Sequence, residues 1–161
     1  MDIGTARFNG IPFVSKSPTG KIVIGSNALI NSSERSNPLA VDHPTSFLTY
    51  KDSRIQIGDN CSFSGTIIVA HNSIKIGDNT MIGANSKIYD TDFHPMDYKM
   101  RESHPTKHAK TRPIIIGSNV FIGCHVHILK GVTIHDNAVV PAGTFVRRDF
   151  PEISENERPK N

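Results

Sequence analysis

The sequence predicts an all-β chain, a solenoid in which short parallel strands stack coil upon coil. Three observations carry that expectation. First, the 161 residues include 20 Ile and 10 Val against only 4 Leu, and branched side chains suit pleated surfaces whereas Leu leads in helices. Second, 12 Gly, 10 Pro and 12 Asn supply the residues that punctuate turns. Third, Ile116, Ile122, Ile128, Ile134, Val140 and Val146 follow one another at an interval of six. Six is a multiple of two but not of 3.6, so the pattern fits strands and would smear around a helix. A helical bundle is excluded, and the length suits one domain.

Along the chain, the repeat first shows as Ile24-Gly25-Ser26-Asn27-Ala28. Residues 31–54, with Asn37-Pro38 and His43-Pro44, break the hexads and are expected to be a loop or an irregular coil. The phrase returns as Ile57-Gly58-Asp59-Asn60-Cys61 and Ile76-Gly77-Asp78-Asn79-Thr80, the latter running on through Ile82-Gly83 to Ile88. Each unit is too short to bury anything alone, so coils must stack at the strand spacing of about 4.8 Å. Three hexads give an 18-residue coil with Asn or Gly at corners that need positive φ. Ile57 to Ile76 spans 19, which predicts a bulge near Ala70 to Ser73. Residues 95–113, from Pro95 through Pro105 to Pro113, form a long excursion rich in Lys, Arg and His; a loop of this length is more often functional than decorative. The expected organisation is a solenoid domain over 1–151 and a polar, poorly ordered tail over 152–161.

Lys plus Arg number 18 against 15 Asp plus Glu, too weak and dispersed a balance for nucleic-acid binding. No apolar run reaches the roughly 18–20 residues of a membrane helix, and the start, Met1-Asp2-Ile3-Gly4-Thr5, does not read as a leader. Cys61 and Cys124 make neither a disulfide framework nor a metal pair. A soluble protein of the reducing cytoplasm is expected, with no membrane insertion.

The Ile-Gly hexads, the segment Asp90-Thr91-Asp92-Phe93-His94-Pro95 and the stretch Ile116–Pro151 together resemble the hexapeptide-repeat acyltransferases. The likeness is greatest to the sugar O-acetyltransferases of the maltose, galactoside, nodulation, capsule and O-antigen type. The resemblance implies a single-stranded left-handed parallel β-helix, against the usual crossover rule, and a homotrimer with active sites between neighbouring chains. It also implies acetyl-CoA as co-substrate, a sugar or glycan acceptor, and a role in surface polysaccharide biosynthesis.

His94 stands eighteen residues after Ile76, where the hexad rule asks for a branched aliphatic. Spacing alone reads it as a loop residue whose phase is accidental; the resemblance makes it the catalytic base. A neutral imidazole can take a proton from a sugar hydroxyl and return it to the thiolate leaving group. It needs a partner for its other nitrogen, either a backbone carbonyl or Asp92. An inward-phased His94 would also require the coil to open near Tyr89 to Phe93. The family pattern places an oxyanion donor at the backbone N–H of Cys124, after Gly123. It places acetyl-CoA contacts at Gly123, Cys124, Ala142, Gly143, Arg147 and Arg148, where small residues admit close approach and cations suit phosphates. The acceptor side falls near Ser64 and His71, where the sugar enzymes carry Asn and Asp. A further small-residue and Pro turn of the family is absent after Asp149-Phe150-Pro151.

An amino-sugar N-acetyltransferase is the alternative within the same chemistry. Outside it stand a γ-carbonic-anhydrase-like zinc enzyme and a non-catalytic solenoid. The first is disfavoured because His104 and His108 are separated by three residues with no preceding Gly, and His125 and His127 flank Val126 on what reads as an outward strand face; no metal is expected. The second is disfavoured because no rank of Thr recurs on successive coils.

Overall fold

The computed structural model describes residues 1–151; the tail expected over 152–161 lies outside the described residues. The strands are parallel and fall into three sheets, and each strand pairs with the one three further along the chain. The first face stacks Arg7–Asn9, Leu29–Asn31, Ser62–Ser64, Met81–Ile82, Phe121–Ile122 and Val139–Val140. The second stacks Phe13–Lys16, Ser46–Thr49, Ile67–Ala70, Lys87–Tyr89, His127–Leu129 and Phe145–Val146. The third stacks Lys21–Ile24, Arg54–Ile57, Ser73–Ile76, Ile114–Ile116 and Thr133–Ile134.

Period two decides which side chains enter the core. Lys21–Ile24 and Arg54–Ile57 each bury their second and fourth residues and expose the first and third, as a half-buried strand should. The buried residues align in columns. Ile24 pairs with Ile57, Ile57 with Ile76, Ile76 with Ile116 and Ile116 with Ile134. All six members of the hexad run from Ile116 to Val146 lie in the core.

One corner is built as a hydrogen-bonded ladder. Asn27, Asn60, Asn79, Asn119 and Asn137 all have positive φ, the conformation that Asn tolerates better than most residues. Their side-chain amides link coil to coil, Asn27 to Asn60 at 3.3 Å, Asn60 to Asn79 at 3.1 Å and Asn119 to Asn137 at 3.4 Å. Beside them the backbone N–H of Ser26, Asp59 and Ser118 donates to the carboxylate of Asp59, Asp78 and Asp136 respectively.

Two expectations need correction. Residues 31–54 are not all irregular: Ser46–Thr49 is a strand of the second face, between Phe13–Lys16 and Ile67–Ala70. It escapes the hexad pattern because Phe47 is its one buried apolar residue while Ser46 and Thr49 are buried polar ones. His125 does not lie on an outward strand face; it occupies a left-handed corner, φ 54°, and His127 alone of the two lies in a strand. The 19-residue coil has two local causes. Phe63 and Ile68 are buried five residues apart, across Gly65 with φ 53°, and the extra length is taken up at His71-Asn72, between Ile67–Ala70 and Ser73–Ile76.

Because Ile128 is fully buried in this core, Ile128→Ala is expected to lower the unfolding free energy by about 2–5 kcal/mol. Lys75→Ala, on the exposed side of a strand, is expected to change it by less than about 0.5 kcal/mol. Denaturant titration of the two variants against the parent checks the contrast.

Candidate active site

The long excursion leaves the second face after Tyr89 and returns at Ile114. Its neck is closed by an antiparallel bridge between Thr91 and Thr111, with Asp92 N–H donating to Lys110 O at 3.0 Å and Arg112 N–H to Asp90 O at 3.0 Å. The coil register is unbroken across the gap, since Ile74 and Ile76 pair with Ile114 and Ile116. Ile116 therefore occupies the place that counting from Ile76 assigns to residue 94. The inward-pointing His94 that the phase suggests is corrected accordingly: the ring is exposed, on a segment already outside the coil.

A tight local turn sets His94. Thr91 Oγ1 accepts from Phe93 N–H at 3.0 Å, Phe93 takes φ 59°, and His94 N–H donates to Asp92 O at 2.6 Å. Within the excursion a short helix, Tyr98–Ser103, is capped by Asp97, whose carboxylate accepts from Lys99 and Met100 N–H. Arg101 ties this helix back through Pro95 O and Met96 O, each at 2.7 Å. The excursion then brings Pro105 O within 2.6 Å of His94 Nδ1. A carbonyl can only accept, so Nδ1 carries the proton and Nε2 is the basic atom of the neutral ring. Asp92, the other partner considered, is instead paired with Lys130 at 2.7 Å.

His94 lines a cavity of about 580 Å³ together with Tyr50, Lys51, His71, Phe93, Thr106 and Lys107. His71 stacks on Tyr50 with ring centroids 4.3 Å apart and meets Phe93 edge-on at 5.9 Å. The corner under His71 is held by Asp90, a fully buried carboxylate that accepts from His71 N–H at 2.7 Å and Asn72 N–H at 2.8 Å. Burial pushes the Asp90 carboxyl above the usual carboxylate range, more than its amide hydrogen bonds pull it down. Burial lowers His71 below the ordinary imidazole value, with Asp90 opposing and Lys51 adding to the shift. The ring contacts continue along the second face, from Phe93 to Tyr89 at 5.7 Å, Tyr89 to His127 at 6.2 Å and His127 to Phe145 at 4.4 Å.

The other expected residues lie elsewhere in the chain. Gly123 and Cys124 form a corner at which the backbone of Ala142 in the next coil sits against Gly123, leaving no room for a Cβ there. This corner has no Asp or Ser ladder, and among the described residues the Cys124 N–H donates no hydrogen bond. Cys124 O accepts from Gly143 N–H at 2.8 Å. Arg147 and Arg148 line a second cavity of about 580 Å³, with Phe145 and Phe150 among its walls. Ser64 is buried, its hydroxyl accepting from Asn31 Nδ2 at 3.0 Å and Asn37 Nδ2 at 3.1 Å. It ties residues 32–45 to the solenoid and does not line the His94 cavity. Tyr50, Lys51 and Phe93 were not anticipated at the site, whereas Thr106 and Lys107 belong to the 95–113 excursion that the sequence marks as functional. Phe93 adjoins His94 in sequence and offered a signal, whereas Tyr50 and Lys51 follow the unrecognised strand and offered none.

Residues 113–148 match the bacterial transferase hexapeptide family (six repeats), and residues 73–88 match the hexapeptide repeat of succinyl-transferase. The galactoside O-acetyltransferase of Escherichia coli (strain K12) is 39% identical over 110 residues, 67% of this chain and 51% of that protein. The chain carries the repeats of the hexapeptide transferase family and is similar to its acetyltransferases over about two thirds of its own length. It spans about half the length of the curated relatives it matches. Among solved structures, the polysialic acid O-acetyltransferase OatWY superposes with TM-score 0.63 at 20% identity, over 94% of this chain and 81% of that one. A hexapeptide-repeat acetyltransferase of Vibrio cholerae O1 biovar eltor in complex with acetyl-CoA gives 0.51 at 23%, over 93% and 64%. The fold is the left-handed parallel β-helix of this family.

The fold favours a neutral His71, so its share of stability is intact above the unfolded imidazole value of about 6.5. That share is lost as pH falls from there through the lower folded value. His127 shifts the same way, through burial first and then Lys87 and His125. His71→Gln is therefore expected to reduce, without abolishing, the loss of unfolding free energy between about pH 7 and 5. Denaturant unfolding at stepped pH, with the His71 ring followed by NMR to a midpoint below about 6.5, measures both.

Proposed function

We propose that this chain transfers an acetyl group from acetyl-CoA to a sugar hydroxyl, with His94 as general base. The observation that carries the reading is the Nδ1–H bond from His94 to Pro105 O, which fixes the tautomer and leaves Nε2 basic on a ring lining a cavity. Nε2 takes the proton of the acceptor hydroxyl as that oxygen attacks the thioester carbonyl. The Cys124 N–H, free at a corner without a ladder, stabilises the oxyanion. The carbon–sulfur bond then breaks, and Nε2 returns the proton to the departing thiolate of CoA. The acceptor attacks directly, so the Cys124 thiol has no covalent part.

Ala142, Gly143, Arg147 and Arg148 are the donor side of this reading, with the exposed Ala142-Gly143 backbone for the pantetheine arm and the two guanidinium groups for phosphates. Within one chain Arg147 and Arg148 line a different cavity from that of His94. Association of three chains, as the resemblance implies, unites base and donor at a contact between neighbours. Of the two expected acceptor contacts, His71 lines the His94 cavity and is retained, whereas Ser64 is spent on Asn31 and Asn37. No helix among the described residues is long and apolar enough to cross a membrane. Among those residues no three His, Cys, Asp or Glu side chains are grouped as a metal centre needs. A cytoplasmic step in surface polysaccharide assembly is the setting we favour.

His94→Ala is expected to lower kcat by about 10²–10⁴ with little change in KM for acetyl-CoA, measured as CoA release across a panel of saccharides. Cys124→Ala is expected to stay within about tenfold of the parent because the backbone N–H survives. An unchanged rate in the first variant, or a fall below a hundredth in the second, would remove the mechanism.

A further inference from the structure

Resting on that reading, we infer that the acceptor is an anionic saccharide, whose carboxylate or phosphate is held by Lys51 and Lys107 while its ring lies on the Tyr50–His71–Phe93 wall. Two lysines line the His94 cavity, and no acidic side chain does. Two acids around the site, Asp90 and Asp92, are already committed. Asp90 is fully buried under the His71 corner and accepts two backbone amides. Asp92 is paired with Lys130, the one ion pair among the described residues. Lys51 and Lys107 are thus without a carboxylate partner, and His71 beside them is held toward its neutral form. The side chains lining the cavity thus bring positive charge and no acid.

The choice of lysine at position 51 supports a demand on its side chain. Lys51 has φ 50°, and most left-handed corners of this chain carry Asn or Gly, which that conformation favours. The corner is firmly made. Tyr50 N–H donates to Ala70 O at 3.0 Å and to Ser53 Oγ at 2.9 Å, while the Ser17 hydroxyl donates to Lys51 O. Backbone comfort does not select lysine there, and its side chain is what the corner offers to the cavity. Tyr50 and Phe93 keep 45% and 39% of their surface exposed, an apolar wall suited to the C–H face of a pyranose. The phosphates of the donor have their own cations, Arg147 and Arg148, in the other cavity.

The test compares kcat/KM for matched acceptors: galactose with galacturonate, and glucose with glucuronate and with glucose 1-phosphate. Each is run on the full chain and on Lys51→Gln, Lys107→Gln and Lys51→Arg. The anionic partner should be preferred by about tenfold or more, and either Gln variant should raise the acceptor KM by about tenfold with acetyl-CoA KM unchanged. Lys51→Arg should recover most of the loss. The uronate and phosphate arms separate the two sources of charge. Equal use of neutral and anionic sugars, or Gln variants that raise the KM of acetyl-CoA instead, overturns this inference and leaves the acetyltransferase reading standing. Absence of transfer to every saccharide overturns both.

Discussion

Stacking of like on like governs this molecule. A coil of three short strands has no interior of its own, so each inward Ile or Val is buried only by its counterpart one coil earlier and one coil later. The column Ile24, Ile57, Ile76, Ile116, Ile134 is the visible form of that dependence. It allows little freedom in register, because a slip of one residue would turn a whole strand inside out. It allows great freedom in length, provided extra chain leaves and re-enters at a corner. Between Ile76 and Ile116 the chain makes its long detour, yet those two residues pair as if nothing intervened.

That combination of rigid register and permissive corners explains where the site lies. The excursion begins where the second face ends and is pinned at its neck by Asp90, Thr91 and Asp92 against Lys110, Thr111 and Arg112. A histidine placed just outside such a neck is set by two supports at once, the turn through Phe93 and the returning loop at Pro105. Asp90 connects both structures, since its carboxylate caps the His71 corner one coil earlier while its backbone holds the neck. The two imidazoles of the cavity are therefore positioned by a common buried group.

Much of this was legible in the sequence, because the columns are periodic and the Asn corners repeat the same phrase. What stayed hidden was aperiodic. Ser46–Thr49 offers one core side chain, and the buried hydroxyls and small groups around it carry no hydrophobic signal. Ser64 sits at a solvent-facing phase by count, but residues 32–45 fold over it and consume its hydroxyl. His94 was found through family likeness; its phase match with Ile76 proved coincidental, since Ile116 fills that place. The partner of its Nδ1 could not be chosen beforehand because Pro105 lies eleven residues further along, in a loop whose path no local propensity fixes.

The two histidines that share the cavity also differ in what their surroundings permit, and this decides which can serve as base. His71 lies between Tyr50 and Phe93, its charged form disfavoured by burial and by Lys51. A base that must become cationic during reaction gains nothing from such a setting. His94 is exposed and bonded through Nδ1–H to a carbonyl, an acceptor that strengthens as the ring gains charge. In the proposed mechanism proton transfer falls to His94, and His71 is left as a neutral wall. That division follows from the excursion: without the carbonyl of Pro105 neither ring of the cavity would have its tautomer fixed by a backbone acceptor.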